Sequence, residues 1–94
     1  MTTNTSYGYV IIVATNGHVW AAKAASIDME TQLVTATNAR IIRRWGTDNG
    51  LNQLITGPTK ETILDAVAPR LDIAWQAILY FVPVSEGNWK KHLK

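Results

Sequence analysis

Residues 70–82, RLDIAWQAILYFV, admit two readings, and the fold class turns on the choice. Wound as a helix, the segment gathers Leu71, Ala74, Trp75, Ile78 and Leu79 on one stripe. Extended, it places Leu71, Ile73, Trp75, Ala77, Leu79 and Phe81 on one face in unbroken alternation. The other face then carries Arg70, Asp72, Ala74 and Gln76 before turning apolar at Ile78 and Tyr80. The extended template collects more of the bulky residues, so a strand is predicted, with Trp75 in the core. Pro69 precedes it and Pro83 ends it, because proline lacks the N–H that a regular ladder requires.

Working outward, the N-terminal stretch YGYVIIVATNGHVWAAKAASID (7–28) reads as a hairpin. Tyr9 to Val13 are β-branched or aromatic, and Asn16-Gly17 is a strong signal for a two-residue turn, since both residues tolerate positive φ. The second arm, VWAAKAAS, is rich in alanine and has helical propensity. A tight turn nevertheless returns it onto the first arm, so a strand is predicted. A second turn is expected near Asp28 to Thr31, followed by a long extended segment to Trp45. Along it Leu33, Thr35, Thr37, Ala39, Ile41, Arg43 and Trp45 share one face, with Val34, Ala36, Asn38, Arg40, Ile42 and Arg44 on the other. Neither face is apolar throughout, and a bulge or bend near Asn38 would exchange them.

The stretch GTDNGLNQLITGPT (46–59) is a connection. Asp48 is a candidate cap for a short helix through Leu54 and Ile55, with Gly57 and Pro58 ending it. KETILDAV (60–67) reads as a strand or a helical turn. In SEGNWKKHLK (85–94), Ser85 is a candidate cap for a terminal helical turn. The expected architecture is mainly β: a small, strongly bent antiparallel sheet or barrel with one or two short helices. One domain is expected over residues 1–94, with 1–6 flexible and 85–94 forming a helical turn or tail.

Composition removes several functions. Of 94 residues, none is cysteine, which excludes a disulfide scaffold and thiolate metal sites. The longest apolar run, Tyr9 to Ala14, is far short of the ~20 residues of a membrane helix. MTTNTS lacks the basic segment of a signal peptide, so the expected location is the cytoplasm. His18 and His92 lie far apart without a carboxylate pair at ligand spacing, so neither a metal nor any other cofactor is expected. TGPTKET (56–62) is not a phosphate loop, because Lys60 does not follow a glycine and Pro58 removes an N–H. No nucleophile has a convincing base, and no enzymatic activity is expected.

Two basic clusters stand out against scattered acids: Arg40, Arg43 and Arg44, then Lys90, Lys91, His92 and Lys94. The net charge of +2 is too small for a strong overall field, so distribution matters more than total. Arginine offers a planar fork for phosphate or carboxylate, and tryptophan offers a stacking face. The candidate binding set is therefore Arg40, Arg43, Arg44, Trp45 and Lys60. The alternative reading makes Trp45 and Ile41 core, with the arginines solvated or paired to Asp48 and Glu61. In a regular strand Arg43 and Arg44 point to opposite faces, so a bend must bring them together.

Ala39-Arg40, Ile42, Trp45, GLNQL (50–54), Gly57-Pro58-Thr59 and the late hydrophobic strand carry a resemblance across most of the chain. The chain resembles a family of small uncharacterised proteins encoded in tailed-phage and prophage genomes. It departs from that pattern in its alanine-rich hairpin and its more basic C-terminus. The resemblance implies an accessory protein within the bacterial host. It implies an inhibitor of a host factor, such as a counter-defence protein that blocks an immune protein or sequesters its nucleotide signal. A nucleic-acid-binding module and a minor virion or assembly component are the alternatives. A homo-oligomer, most simply a dimer, is expected, because Tyr7, Tyr9, Ile12, Trp20, Tyr80 and Trp89 exceed the needs of one small core.

Overall fold

The computed structural model describes residues 4–15, 17–47 and 50–93, with backbone alone for Asn4 and Thr5. Eight strands run β1 (Asn4–Tyr7), β2 (Val10–Ala14), β3 (Val19–Ala22), β4 (Ala24–Asp28), β5 (Leu33–Arg44), β6 (Ile63–Leu64), β7 (Ala68–Ala74) and β8 (Ile78–Pro83). Three 3-10 helices, Leu51–Thr56, Trp75–Ala77 and Lys90–His92, and one α-helix, α1 (Glu86–Trp89), complete the order. The strands form an antiparallel sheet that curls into a nearly closed barrel.

The barrel is built from a few long, bent ribbons. Tyr7 faces Ala25 and Val10 faces Ala22, so β1–β2 pairs with β3–β4 in one register across the bend. Ala24 faces Thr37 and Trp20 faces Ile41, so β5 continues that pattern on the far side. β5 is then flanked by β7 along its first half and β6 along its second, while β8 pairs with β2.

The expected bend at Asn38 is present, with φ of 49°. Asparagine tolerates this left-handed conformation better than most side chains. Packing along β5 changes phase there: Val34 and Ala36 before the bend and Ala39 after it share the interior cluster, whereas Ile42 joins the outer one. One strand thus serves two differently oriented parts of the barrel.

The segment 70–82 is extended but is not a single strand. The 3-10 turn at 75–77 divides β7 from β8, and a register shift beside Ala14 makes Leu79 an extra residue in β8. Leu71, Ile73, Trp75 and Phe81 pack on the core as expected. Leu79 does not: the shift turns it outward, 62% exposed.

Other boundaries also moved. Ala14 N–H donates to the His18 carbonyl, and Gly17 takes φ of 86°. The first hairpin loop is therefore three residues long rather than two, with glycine in its left-handed position. Asn16 lies outside the described residues, as does Asp48, the expected helix cap. Gly50 occupies the position before the 51–56 helix, and Gly57 ends it. The strand expected over 60–67 is reduced to Ile63–Leu64. Of the stretch 1–6, Asn4 to Ser6 pair as part of β1, and residues 1–3 lie outside the described residues.

Two hydrophobic clusters lie on opposite faces of the sheet. The interior one holds Val10, Ile12, Ala22, Ala25, Ile27, Val34, Ala36 and Ala39, rimmed by Tyr7, Trp20, Trp75 and Phe81. The outer one holds Ile11, Val19, Ala21, Ile42 and Val82 beneath Leu51, Leu54, Trp89 and Leu93. Trp89 is completely buried, and its indole N–H donates to the Leu54 carbonyl at 2.7 Å. Between them the clusters take up five of the six apolar residues that argued for an oligomer, Tyr7, Ile12 and Trp20 in the interior one and Tyr9 and Trp89 in the outer one, while Tyr80 remains 50% exposed.

Candidate functional site

The second half of β5 carries the arginine-tryptophan cluster. Ile42 faces Leu64 while Arg44 faces Ile63, so Arg43 is an extra residue in the ladder. Such a bulge breaks strict alternation. It accounts for Arg43 and Arg44 both being exposed, where a regular strand would turn one of them inward.

The candidate residues then divide by environment. Arg40 is half-buried and tied to backbone: its Nε donates to the Asp65 carbonyl at 2.5 Å, Nη1 to the His92 carbonyl at 3.1 Å and Nη2 to the Leu64 carbonyl at 3.3 Å. Its charge is local, but its donors are engaged in holding β6 and the C-terminal turn against β5. Arg43 pairs with the Asp65 carboxylate at 2.6 Å while its side chain stays 70% exposed. The partner is therefore Asp65, not the expected Glu61. Arg44 and Lys60 are exposed, and neither has an ion-pair partner among the described residues.

Trp45 is 42% exposed and so is not a core residue. Its backbone is held firmly nonetheless. Thr62 Oγ1 donates to the Trp45 carbonyl at 2.6 Å, and Thr59 Oγ1 donates to the Gly46 carbonyl at the same distance. Gly46 has φ of 67°, and a Cβ there would collide with the Glu61–Thr62 backbone. Only glycine lets the chain turn this tightly beside the 59–62 segment. These contacts place the end of β5 next to the turn that bears Lys60. Glu61 and Asp65 are the described acidic side chains in that segment.

The structure also joins the two basic clusters, which are some fifty positions apart in the chain. Besides the Arg40–His92 contact, Asn38 Nδ2 donates to the Leu93 carbonyl at 3.0 Å. Burial holds the His92 imidazole below its ordinary pKa, and the charges of Lys91 and Arg40 act in the same direction. Lys90 and Lys91 are exposed on the docked turn. Sequence reasoning identified both clusters but not their meeting, nor Ile63, which is 43% exposed opposite Arg44. Strand pairing and helix docking supply those neighbours, and no local pattern announces them.

A separate shallow groove of about 110 Å³ lies between β1, β4 and β5, lined by small and hydroxyl side chains such as Ser6, Ser26, Thr35 and Thr37. It is well below the ~300 Å³ typical of a small-ligand pocket. No group of three or more potential metal ligands occurs among the described residues. No helix among them is long and apolar enough to cross a membrane. No family model matches the chain, and no curated protein or solved structure matches it.

Proposed function

We propose that this protein is a non-enzymatic binding module that engages an anionic partner through the bulged end of β5. The observation that carries the reading is the convergence at Asp65 and His92. Arg43 reaches the Asp65 side chain, Arg40 reaches its backbone and that of His92, and the lysine-bearing C-terminal turn docks alongside. The two weak basic runs are brought together around Asp65, and a local concentration of charge steers partners more effectively than net charge. Arg44, Trp45 and Lys60 are its accessible contact residues, and Arg40 is its internal brace.

In the phage setting that the resemblance implies, binding itself is the activity, and the protein acts as an accessory inhibitor of a host factor. A host protein or a nucleotide signal fits that setting. The groove between β1, β4 and β5 is too small to enclose a nucleotide, and the end of β5 is read as an open contact face.

Heparin-column retention tests the reading. The wild-type protein is expected to bind at low salt. The Arg44→Ala/Lys60→Ala double variant is expected to elute earlier with an unchanged melting temperature. A wild-type protein that flows through, or a double variant that elutes with it, would refute the proposal.

A further inference from the structure

The ligand class can be narrowed from the same face, and the inference rests on the anionic-partner reading. We propose that the bulged end of β5 binds single-stranded nucleic acid, with Trp45 stacking on a base while Arg43, Arg44 and Lys60 hold flanking phosphates.

Three observations support this. First, the bulge at Arg43 exposes two adjacent guanidinium groups, where a flat strand would separate them onto opposite faces. Second, Trp45 follows immediately, with its ring partly in solvent and its backbone fixed by Thr62. An exposed indole adds little to stability, since its burial is incomplete, but it offers a π-face for stacking. Third, Arg40 holds the C-terminal turn against β5, which brings the exposed Lys90 and Lys91 to the same end of the structure as additional positive charge. Arg43 meets Asp65 at the surface, where an ion pair is weak and can exchange for phosphate.

Geometry favours a single strand over a duplex. Among the described residues the α-helix that could enter a duplex groove has only four residues, with its tryptophan fully buried. A single strand exposes base faces, and stacking on them tolerates any sequence.

Fluorescence anisotropy with two labelled probes tests the proposal: an oligothymidylate and an abasic oligodeoxyribose-phosphate of equal length. The wild-type protein should bind the thymidylate more tightly, with affinity that falls steeply with salt. Trp45→Ala should weaken thymidylate binding about five-fold or more and remove its advantage over the abasic probe. Trp45→Phe should retain most of that advantage. The Arg44→Ala/Lys60→Ala variant should weaken both probes and flatten the salt dependence. Equal affinity for the two probes, unaffected by Trp45→Ala, would overturn the stacking proposal while leaving an anionic partner in place. Heparin binding without binding of either oligonucleotide would also overturn it and would indicate a protein or other polyanion. Failure to bind heparin and both probes would overturn this inference together with the reading beneath it.

Discussion

The two halves of the sheet meet solvent differently. In the half built from β2, β3 and β8, Val10, Ile11 and Ile12 are all fully buried, because the barrel interior covers one face and the 51–56 helix with α1 covers the other. In the half built from β1, β4, the start of β5 and β7, burial alternates: Ala25 and Ile27 point inward while Ser26 is exposed. Its outer face is a row of small polar residues, Ser6, Ser26, Thr35 and Asp72, paired across successive strands. A strand buried on both faces reads as a continuous apolar run, and one buried on a single face reads as alternation. The covered half therefore depends on the C-terminal turn for its second core, whereas the open half depends on the barrel alone.

The largest expected effect is at Trp89. Its removal should cost about 3–5 kcal/mol and leave the Leu54 carbonyl with the Gly57 N–H as its remaining donor. Against a total stability of about 5–15 kcal/mol, Trp89→Ala should be insoluble or strongly destabilised in thermal melts. Trp75, partly buried and stacked on Phe81 with ring centroids 6.4 Å apart, should cost less, about 1.5–3 kcal/mol. If Trp75→Ala melts lower than Trp89→Ala, the contrast between the halves is wrong.

Arg40 comes next, because it links β5 to both β6 and the C-terminal turn. Replacing it with methionine keeps much of the packing but strands three carbonyls, at about 1.5–3 kcal/mol. Arg44→Ala should stay within about 0.5 kcal/mol and act on binding alone. Urea unfolding together with heparin retention separates the two arginines. Equal stability losses would mean that the brace and the contact residue have been confused.

A smaller, pH-dependent effect belongs to His92. Its pKa is lowered in the folded protein, first by burial and then by Lys91 and Arg40. The unfolded chain therefore binds this proton more readily. Stability contributed by the neutral ring is present above the ordinary histidine pKa and is lost as pH falls toward the folded value. Urea midpoints taken on either side of that window should show a decline that is smaller in His92→Gln. An identical decline would assign the acid sensitivity to carboxylates.

The smallest effect is expected on the open face. Thr35 Oγ1 donates to Asp72 Oδ1 at 2.8 Å, and this contact is the main cause that lowers the Asp72 pKa; desolvation opposes it and Arg70 adds to the lowering. Both partners remain solvent-accessible, so Thr35→Val should change the melting temperature little at neutral pH. A marked drop would show that the hydroxyl row contributes to the barrel as much as the buried layers do.

Much of the barrel was legible locally. The alternation of 70–82, the alanine-rich return strand and the asparagine at the centre of β5 each express a short-range constraint: side-chain period, turn-enforced pairing and tolerance of positive φ. The division of 70–82 into β7, a 3-10 turn and β8 was not legible, because Leu79 fits the inward series and only the shift against Ala14 turns it out. Trp89 was misjudged as surplus for a related reason. Its four-residue helix has too little pattern of its own to show which surface it covers.

At the site, residue types were readable and geometry was not. Sequence by itself determined a β-rich chain without cysteine and two basic runs, each with a tryptophan beside it, because composition and strand periodicity are properties of neighbours along the chain. Tertiary structure decided that Arg43 and Arg44 are both exposed, that Arg40 braces while Arg44 faces solvent, and that the C-terminal lysines join them. Those outcomes depend on register against β6 and on docking of the final turn, where a shift of one residue exchanges inside for outside.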